Sequence, residues 1–357
     1  MASIRDVAKE AGVSPATVSR TFTTPNLINQ KTHQRVLDAA TLLGYAPPRL
    51  RPRRNAGSNP GSRRVPGVTD ALGFQFFAAT SSPGDTLFAN PFYAHVLAGA
   101  QAEAAALGLH LLVHTTDRHA LSLELPRMIQ EQAIGGLLLV GTAEPAILRA
   151  FAERVPNIVL VDNDDETETH ECVISDGFRG ALTATKYLLD LGHRRIGFFL
   201  TERGVMSFRD RVRGYQCALL EHDVVPEPTL TFGVGAMRDD NARADLVALL
   251  RSPERPTAVV TANDEAAVFL LRVCREIGLS VPEDLSVVGF DDISTVITTD
   301  PPLTTIRVDT GFLGRLAVRR LRDRLIEETE SGRAQPPVRH IIPVSLVIRG
   351  SCRPIRQ

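Results

Sequence analysis

IRDVAKEAGVSPATVSRTF, residues 4–22, decides how this chain begins. Ile4, Val7, Ala8 and Ala11 fall at i, i+3, i+4 and i+7, the stripe of a helix with one buried face. Ser3 stands before it as an N-cap, and Asp6 puts a negative charge in the first turn. Gly12 falls where a helix closes in a left-handed conformation. Ser14 then caps a second helix, and Pro15 takes its first position, where no backbone N–H is needed. Val18 and Phe22 turn back on the first helix, which leaves Pro15, Ala16, Thr17, Ser19 and Arg20 outside. Asn29 caps a third helix carrying Val36, Leu37, Ala40 and Leu43. The pattern is a helix–turn–helix whose outer face is small, hydroxylated and basic, which suits a DNA major groove. The same spacing also serves a small three-helix bundle with no nucleic-acid partner.

Charge separates this head from the rest. The 357 residues carry a net charge of −1, yet residues 1–64 hold eleven Lys and Arg against three acids, net +8, which leaves −9 elsewhere. A basic head on an acidic body points to a polyanion partner for the head, although a basic terminus is also common without one. The four cysteines (Cys172, Cys217, Cys274, Cys352) contain no CxxC pair, which fits a reducing compartment with neither zinc nor a disulfide framework. With no apolar leader and no run of membrane-spanning length, the expectation is a soluble cytoplasmic protein.

Residues 46–67, APPRLRPRRNAGSNPGSRRVPG, are too rich in Pro, Gly, Ser, Asn and Arg to build a core and read as a linker. Short apolar runs follow at 71–77, 109–116, 135–141, 157–162, 172–176, 195–200, 257–263 and 285–292. Helical stretches such as 92–108, 180–192 and 211–223 separate them. Strands alternating with helices predict βαβ units and parallel sheets covered on both faces. There are too many strands for one small sheet, so two similar doubly wound α/β subdomains are expected. Ligands in such sheets bind beyond the carboxyl ends of the strands. Asp162, Asp176, Asn263 and Asp291 each end an apolar run there. Carboxylates and an amide there, with the guanidinium of Arg211 from the helical stretch 211–223 and apolar planes, suit a polyhydroxylated ligand, while any one of the strand-end residues taken alone reads as an ordinary turn residue.

The head sequence and, in order, NPFY (90–93), LGHRRIGF (191–198), RVRGY (211–215), TANDEAA (261–267), VPEDLSVVGFDDI (281–293), PPLTTIR (301–307) and LVIRGS (346–351) resemble the LacI/GalR, or lactose-repressor, family of transcription regulators. The resemblance covers essentially the whole chain. It implies an all-α helix–turn–helix DNA-binding head over 1–46 and a hinge linker over 47–67. The core over 68–357 resembles periplasmic sugar-binding proteins, with an N-subdomain of about 68–174 and 307–337 and a C-subdomain of about 175–306 and 338–351. It implies a homodimer on a double-stranded, pseudo-palindromic operator, with a small effector, a sugar or sugar derivative, between the subdomains.

By motif position Pro15, Ala16 and Arg20 would face base edges, and Ser14, Thr17 and Ser19 would hold phosphates. Thr23 stands where the family usually has Asn. Leu27 lies near the next backbone contact, and Asn29 and Thr32 open a helix that could receive phosphate. In the family a hinge-helix leucine wedges into the minor groove. Here Pro52 interrupts that segment and Arg54 holds the leucine position, so a normal hinge helix is not expected. Its arginines either follow phosphates or belong to a plain solvated linker. Effector-lining positions map to Phe92, Asp162, Asp176, Arg211, Met237, Asn263 and Asp291. Two departures bear on the ligand: Met237 occupies a position often aromatic, and Val308 one often polar.

DNDDETE (162–168) lacks the spacing of a calcium loop. No P-loop, GxGxxG, HExxH or GxSxG motif appears, so no metal, cofactor or enzymatic activity is expected. A sugar-binding protein without DNA regulation, and an α/β enzyme of sugar metabolism, are the alternatives that the complete helix–turn–helix and the missing catalytic motifs argue against.

Overall fold

A computed structural model describes residues 3–23, 29–43, 70–78, 87, 90–117, 125–142, 145–164, 169–202, 205–331 and 336–355. The chain forms two compact units, Met1–Ser62 and Arg63–Gln357.

In the first unit, helices α1 (Ile4–Ala11), α2 (Pro15–Thr23) and α3 (Gln30–Leu42) enclose Val7, Ala8, Ala11, Val18, Val36, Ala39 and Ala40. Ser3 and Asp6 form a reciprocal capping box: Asp6 N donates to Ser3 Oγ at 3.4 Å and Ser3 N to Asp6 Oδ2 at 2.8 Å. The hydrogen bonds from Ser3 hold the Asp6 carboxyl below its usual range. Gly12, at φ 61°, ends α1 in the left-handed region that a side chain would strain. Arg35 on α3 donates to the carbonyl of Ala11, so the C-terminus of α1 is tied to the third helix.

The second unit contains two six-stranded sheets. The first sheet has β1 (Ala71–Ala78), β2 (His110–Asp117), β3 (Gly136–Val140), β4 (Ile158–Val161), β5 (Glu171–Ser175) and β11 (Arg339–Ile342). Their order is β11-β5-β4-β3-β1-β2, and every pair is parallel. The second holds β6 (Ile196–Phe199), β7 (Thr231–Phe232), β8 (Ala258–Thr261), β9 (Ser286–Asp291), β10 (Thr304–Arg307) and β12 (Ser345–Val347). Their order is β12-β10-β9-β8-β6-β7, with only β12 antiparallel. The central strands are buried on both faces, as parallel sheets covered by helices require. The covering helices are α4 (Pro91–Ala106), α5 (Arg127–Gln130), α6 (Pro145–Ala152), α7 (Gly177–Asp190), α8 (Met206–Leu220), α9 (Asp240–Arg251), α10 (Asp264–Ile277) and α11 (Thr310–Ser331). This is the architecture of two doubly wound subdomains.

The chain passes between the sheets at Asp176, at 308–309 and at 343–344. The last position departs from the sequence reading, which places it at 337–338. Arg339–Ile342 pair in register with Cys172–Ser175 and so stay in the first sheet. Glu171, buried on β5, adds a tie: it accepts from Arg320 and Arg324 of α11 at 2.7 and 3.1 Å and lies 2.8 Å from His340 Nε2 of β11. Among the described residues no helix is long and apolar enough to cross a membrane.

Candidate functional site

The carboxyl ends of the two sheets meet around Asp162, Arg211 and Asp291. Asp162 follows β4 at φ 52°, and Asp291 ends β9 at φ 114°. Both are non-glycine residues in a region that L side chains rarely occupy, and such strain clusters at ligand sites. Tyr93, in the first turn of α4, donates its hydroxyl to Asp162 Oδ2 at 2.8 Å. Phe92 packs edge-on against Tyr93, which also leans on Phe76.

Arg211 of α8 is the centre of the cluster and only 2% exposed. Its guanidinium lies 3.8 Å over the ring of Phe290 and donates to the carbonyl of Ala262. Its Nη2 is 3.3 Å from Asp291 Oδ1. Gly177 leaves room for its stem, since a Cβ there would lie 3.3 Å from Arg211 Cγ. One side chain therefore gathers the ends of β5, β8 and β9.

Burial pushes the Asp162 carboxyl up, against the opposing pull of the Arg211 charge and the Tyr93 hydroxyl. Burial raises Asp291 well above the usual carboxylate range; Arg211 opposes this and Asp264 adds to it. Tyr93 is raised well above its ordinary value, first by burial and then by Asp162. Asp162 Oδ1, Asp291 Oδ1 and Arg211 Nε are buried without a hydrogen-bond partner, as are Asn163 Nδ2 and Ser175 Oγ at neighbouring strand ends. Buried polar atoms are usually hydrogen-bonded, so convergent acceptors and donors that lack such bonds make this cluster the candidate place for a polar small molecule.

The remaining effector positions are distributed differently. Asp176 and Asn263 lie at strand ends, where each caps a helix: Asp176 Oδ1 accepts from Arg179 N and Asn263 Oδ1 from Ala266 N, both at 2.9 Å. Met237 stands 42% exposed in the turn after β7. Val308 is buried. The sequence reading missed Tyr93, whose signal lay in NPFY beside Phe92. It also missed two polar contacts between the sheets' surroundings: Asn90 Nδ2 donates to Glu265 Oε1 at 3.2 Å, and Arg339 Nη2 lies 3.0 Å from Asp164 and 3.2 Å from Asp210.

In the head, Pro15, Ala16 and Arg20 are exposed on α2. Ser14 Oγ caps that helix, accepting from Thr17 N at 3.1 Å, and lies 2.9 Å from Thr17 Oγ1. Ser19 and Thr23 belong to the same helix. Asn29 caps α3 through Lys31 N at 2.9 Å, and Thr32 is half-buried in its first turn. Leu27 and Arg54 lie outside the described residues.

Comparison with known proteins decides the family. Residues 3–48 match the model of bacterial regulatory proteins of the lacI family, and residues 185–352 match the periplasmic binding protein-like domain. The chain is 31% identical over 324 residues to the HTH-type transcriptional regulator GalS of Salmonella typhimurium, covering 89% of this chain and 88% of that one. The protein belongs to the LacI family. Among other LacI-family relatives, the HTH-type transcriptional repressor PurR of Haemophilus influenzae is 30% identical, over 99% of this chain and 100% of its own. A solved complex of the transcriptional regulator CelR with cellobiose superposes with a TM-score of 0.67 at 27% identity, over 98% of this chain and 100% of that one.

Proposed function

We propose that this LacI-family protein is a sequence-specific DNA-binding transcriptional repressor whose operator affinity is set by a small ligand, a sugar or sugar derivative, held between its core subdomains. The head spans 1–46, the linker 47–67 and the core 68–357. It acts as a cytoplasmic homodimer without enzymatic activity. Two-fold symmetry in the dimer would match two half-sites of the operator.

The observation that carries this reading is the Asp162–Arg211–Asp291 cluster, with its unpaired buried atoms, in a chain that opens with an exposed Pro15–Ala16–Arg20 surface. GalS and PurR being a regulator and a repressor supports the DNA role, and cellobiose in CelR supports a carbohydrate in the core. A ligand shifts DNA affinity only through different affinities for two core states. The Asn90–Glu265 and Arg339–Asp210 contacts join the parts whose relative angle would change.

Arg20→Ala tests the DNA half. A well-placed arginine on guanine contributes about 1–3 kcal/mol of discrimination. Specific binding to the upstream region of the protein's own gene, measured by gel shift near ~100 mM salt, should fall about tenfold or more, with the core's thermal response to sugars unchanged. A folded wild-type dimer that shifts no such DNA would overturn the reading.

A further inference from the structure

Asp264 opens α10 and is fully buried. Its carboxylate lies against a bare glycine of β9: a Cβ at Gly289 would sit 2.1 Å from Asp264 Oδ1. Thr305 of β10 donates its hydroxyl to Oδ1 at 2.6 Å. The amide of Ile293, just past β9, donates to Oδ2 at 2.9 Å. Asp291, the last residue of β9, and Asp292 lead to that amide, at φ 114° and 58°. Two successive non-glycine residues with positive φ persist only where their surroundings hold them. The Asp292 carboxylate is clamped by Arg307 at 2.7 Å and Arg349 at 2.6 Å. Asp291 instead lies 3.3 Å from Arg211 Nη2.

We propose that Asp264 is a positioning residue for the cleft: by holding the amide of Ile293 and the hydroxyl of Thr305, it keeps the Asp291–Asp292 turn in its left-handed shape and Asp291 against Arg211. Its consequence for ligand binding rests on the function proposed above; the positioning itself does not.

The charged groups about this turn are Asp291 and Asp292, their partners Arg211, Arg307 and Arg349, Glu265 on α10 and Asp162 after β4. Burial pushes Asp264 up to about 7, against the hydrogen bonds from Thr305 and Ile293, while the Asp292 charge adds to the rise. In an opened turn Asp264 meets water and returns to about 3.9. The closed turn then binds more protons than the open one between those values. Its advantage is greatest below the lower value and is lost as pH rises through the upper one.

Backbone amide exchange of the full chain tests this, with β8 as internal reference. Asp264→Ala should lower protection of residues 291–298 about tenfold or more and leave β8 unchanged. Asp264→Asn keeps an acceptor for Ile293 and can donate to the Thr305 hydroxyl, which reverses that bond without losing it, and should restore it. In the wild type, protection of the turn, corrected for intrinsic exchange, should fall about tenfold between pH ~6 and ~8; in Asp264→Asn it should not. A general structural role would weaken β8 together with the turn and impose no pH dependence. Unchanged protection in Asp264→Ala, or the same pH dependence in Asp264→Asn, would overturn the proposal. If Asp264→Ala does not fold, the pH profiles of the wild type and Asp264→Asn still decide. None of these readings needs an effector, so they stand apart from the proposed function.

Discussion

Replacing Arg211 with methionine should cost the core about 3–5 kcal/mol at neutral pH, because removing one partner of a buried pair leaves charge without compensation. Methionine preserves much of the apolar stem against Gly177 and Phe290, so the loss comes from the guanidinium rather than from a cavity. Four interactions disappear together: the contact with Asp291, the bond to the Ala262 carbonyl and the cation–π contacts with Phe290 and Phe208. The pH dependence identifies the cause. Asp162 and Asp291 are already raised by burial, and Arg211 is the charge that opposes the rise in both. Without it both carboxyls climb further. A carboxyl raised in the folded state contributes most below its unfolded value and loses that contribution as pH rises through the folded one. The penalty should therefore be large near pH ~8 and shrink towards pH ~4, where both carboxyls are protonated in the folded variant and the folded wild type alike. Thermal unfolding of the variant and wild type across this range reads it directly. An equal loss at both ends would show that the guanidinium does not hold these carboxylates.

What could be read from the sequence was local. Ser3, Gly12, Ser14 and Asn29 announced their caps because each acts on a neighbour a few residues away. Most of the eight apolar runs stood out because strands buried on both faces leave no alternation to blur them; the run at 109–116 is the exception, an edge strand on which Leu112 and Val113 are exposed. Asp162, Asp176, Asn263 and Asp291 were visible as polar ends of those runs. Strands β7, β10, β11 and β12 were not. Thr304 and Thr305 are fully buried in β10, but their hydroxyls are satisfied by Arg349 N and Asp264, partners over forty residues away. Arg339–Ile342 alternate between exposed and half-buried until Ile342, and only register with β5 makes them a strand of the first sheet. Tyr93 follows Phe92 in the sequence, and only the phase of α4 decides that the tyrosine hydroxyl reaches Asp162. Asp264 reads locally as one more acid at a helix start; its burial over Gly289 is a tertiary fact. The Pro/Arg-rich linker that departs from the family's hinge lies outside the described residues.

The phase of α4 is itself fixed by a contact that tolerates no side chain. Helices α4 and α11 cross backbone on backbone: a Cβ at Gly314 would lie 2.0 Å from the carbonyl oxygen of Val96 and 2.8 Å from Ala100 N, and one at Gly99 2.1 Å from the oxygen of Gly311. The Glu103–Arg319 pair, with bonds of 2.8 and 2.9 Å, closes the same interface one turn further on. Alanine normally favours a helix over glycine by about 1 kcal/mol, so a Gly314→Ala change judged by propensity would stabilise α11. The geometry reverses the sign, because the obstacle is main chain and cannot move to another rotamer. Overpacking of this kind costs about 1–3 kcal/mol, occasionally more. Relief comes by lifting α4 off α11, which carries Phe92 and Tyr93, at the other end of the same helix, away from Asp162. Gly314→Ala should therefore lower the unfolding temperature of the core and weaken ligand response together, although residue 314 lies outside the Asp162–Arg211–Asp291 cluster. Gly278→Ala supplies the contrast: nothing lies within 4 Å of its Cβ position, but its φ of 79° strains any side chain. It should reduce stability through backbone conformation and leave the cleft intact. If Gly314→Ala proved as stable as the wild type, helix propensity would outweigh the crossing, and the close approach of α4 and α11 would not be what sets Tyr93 in place.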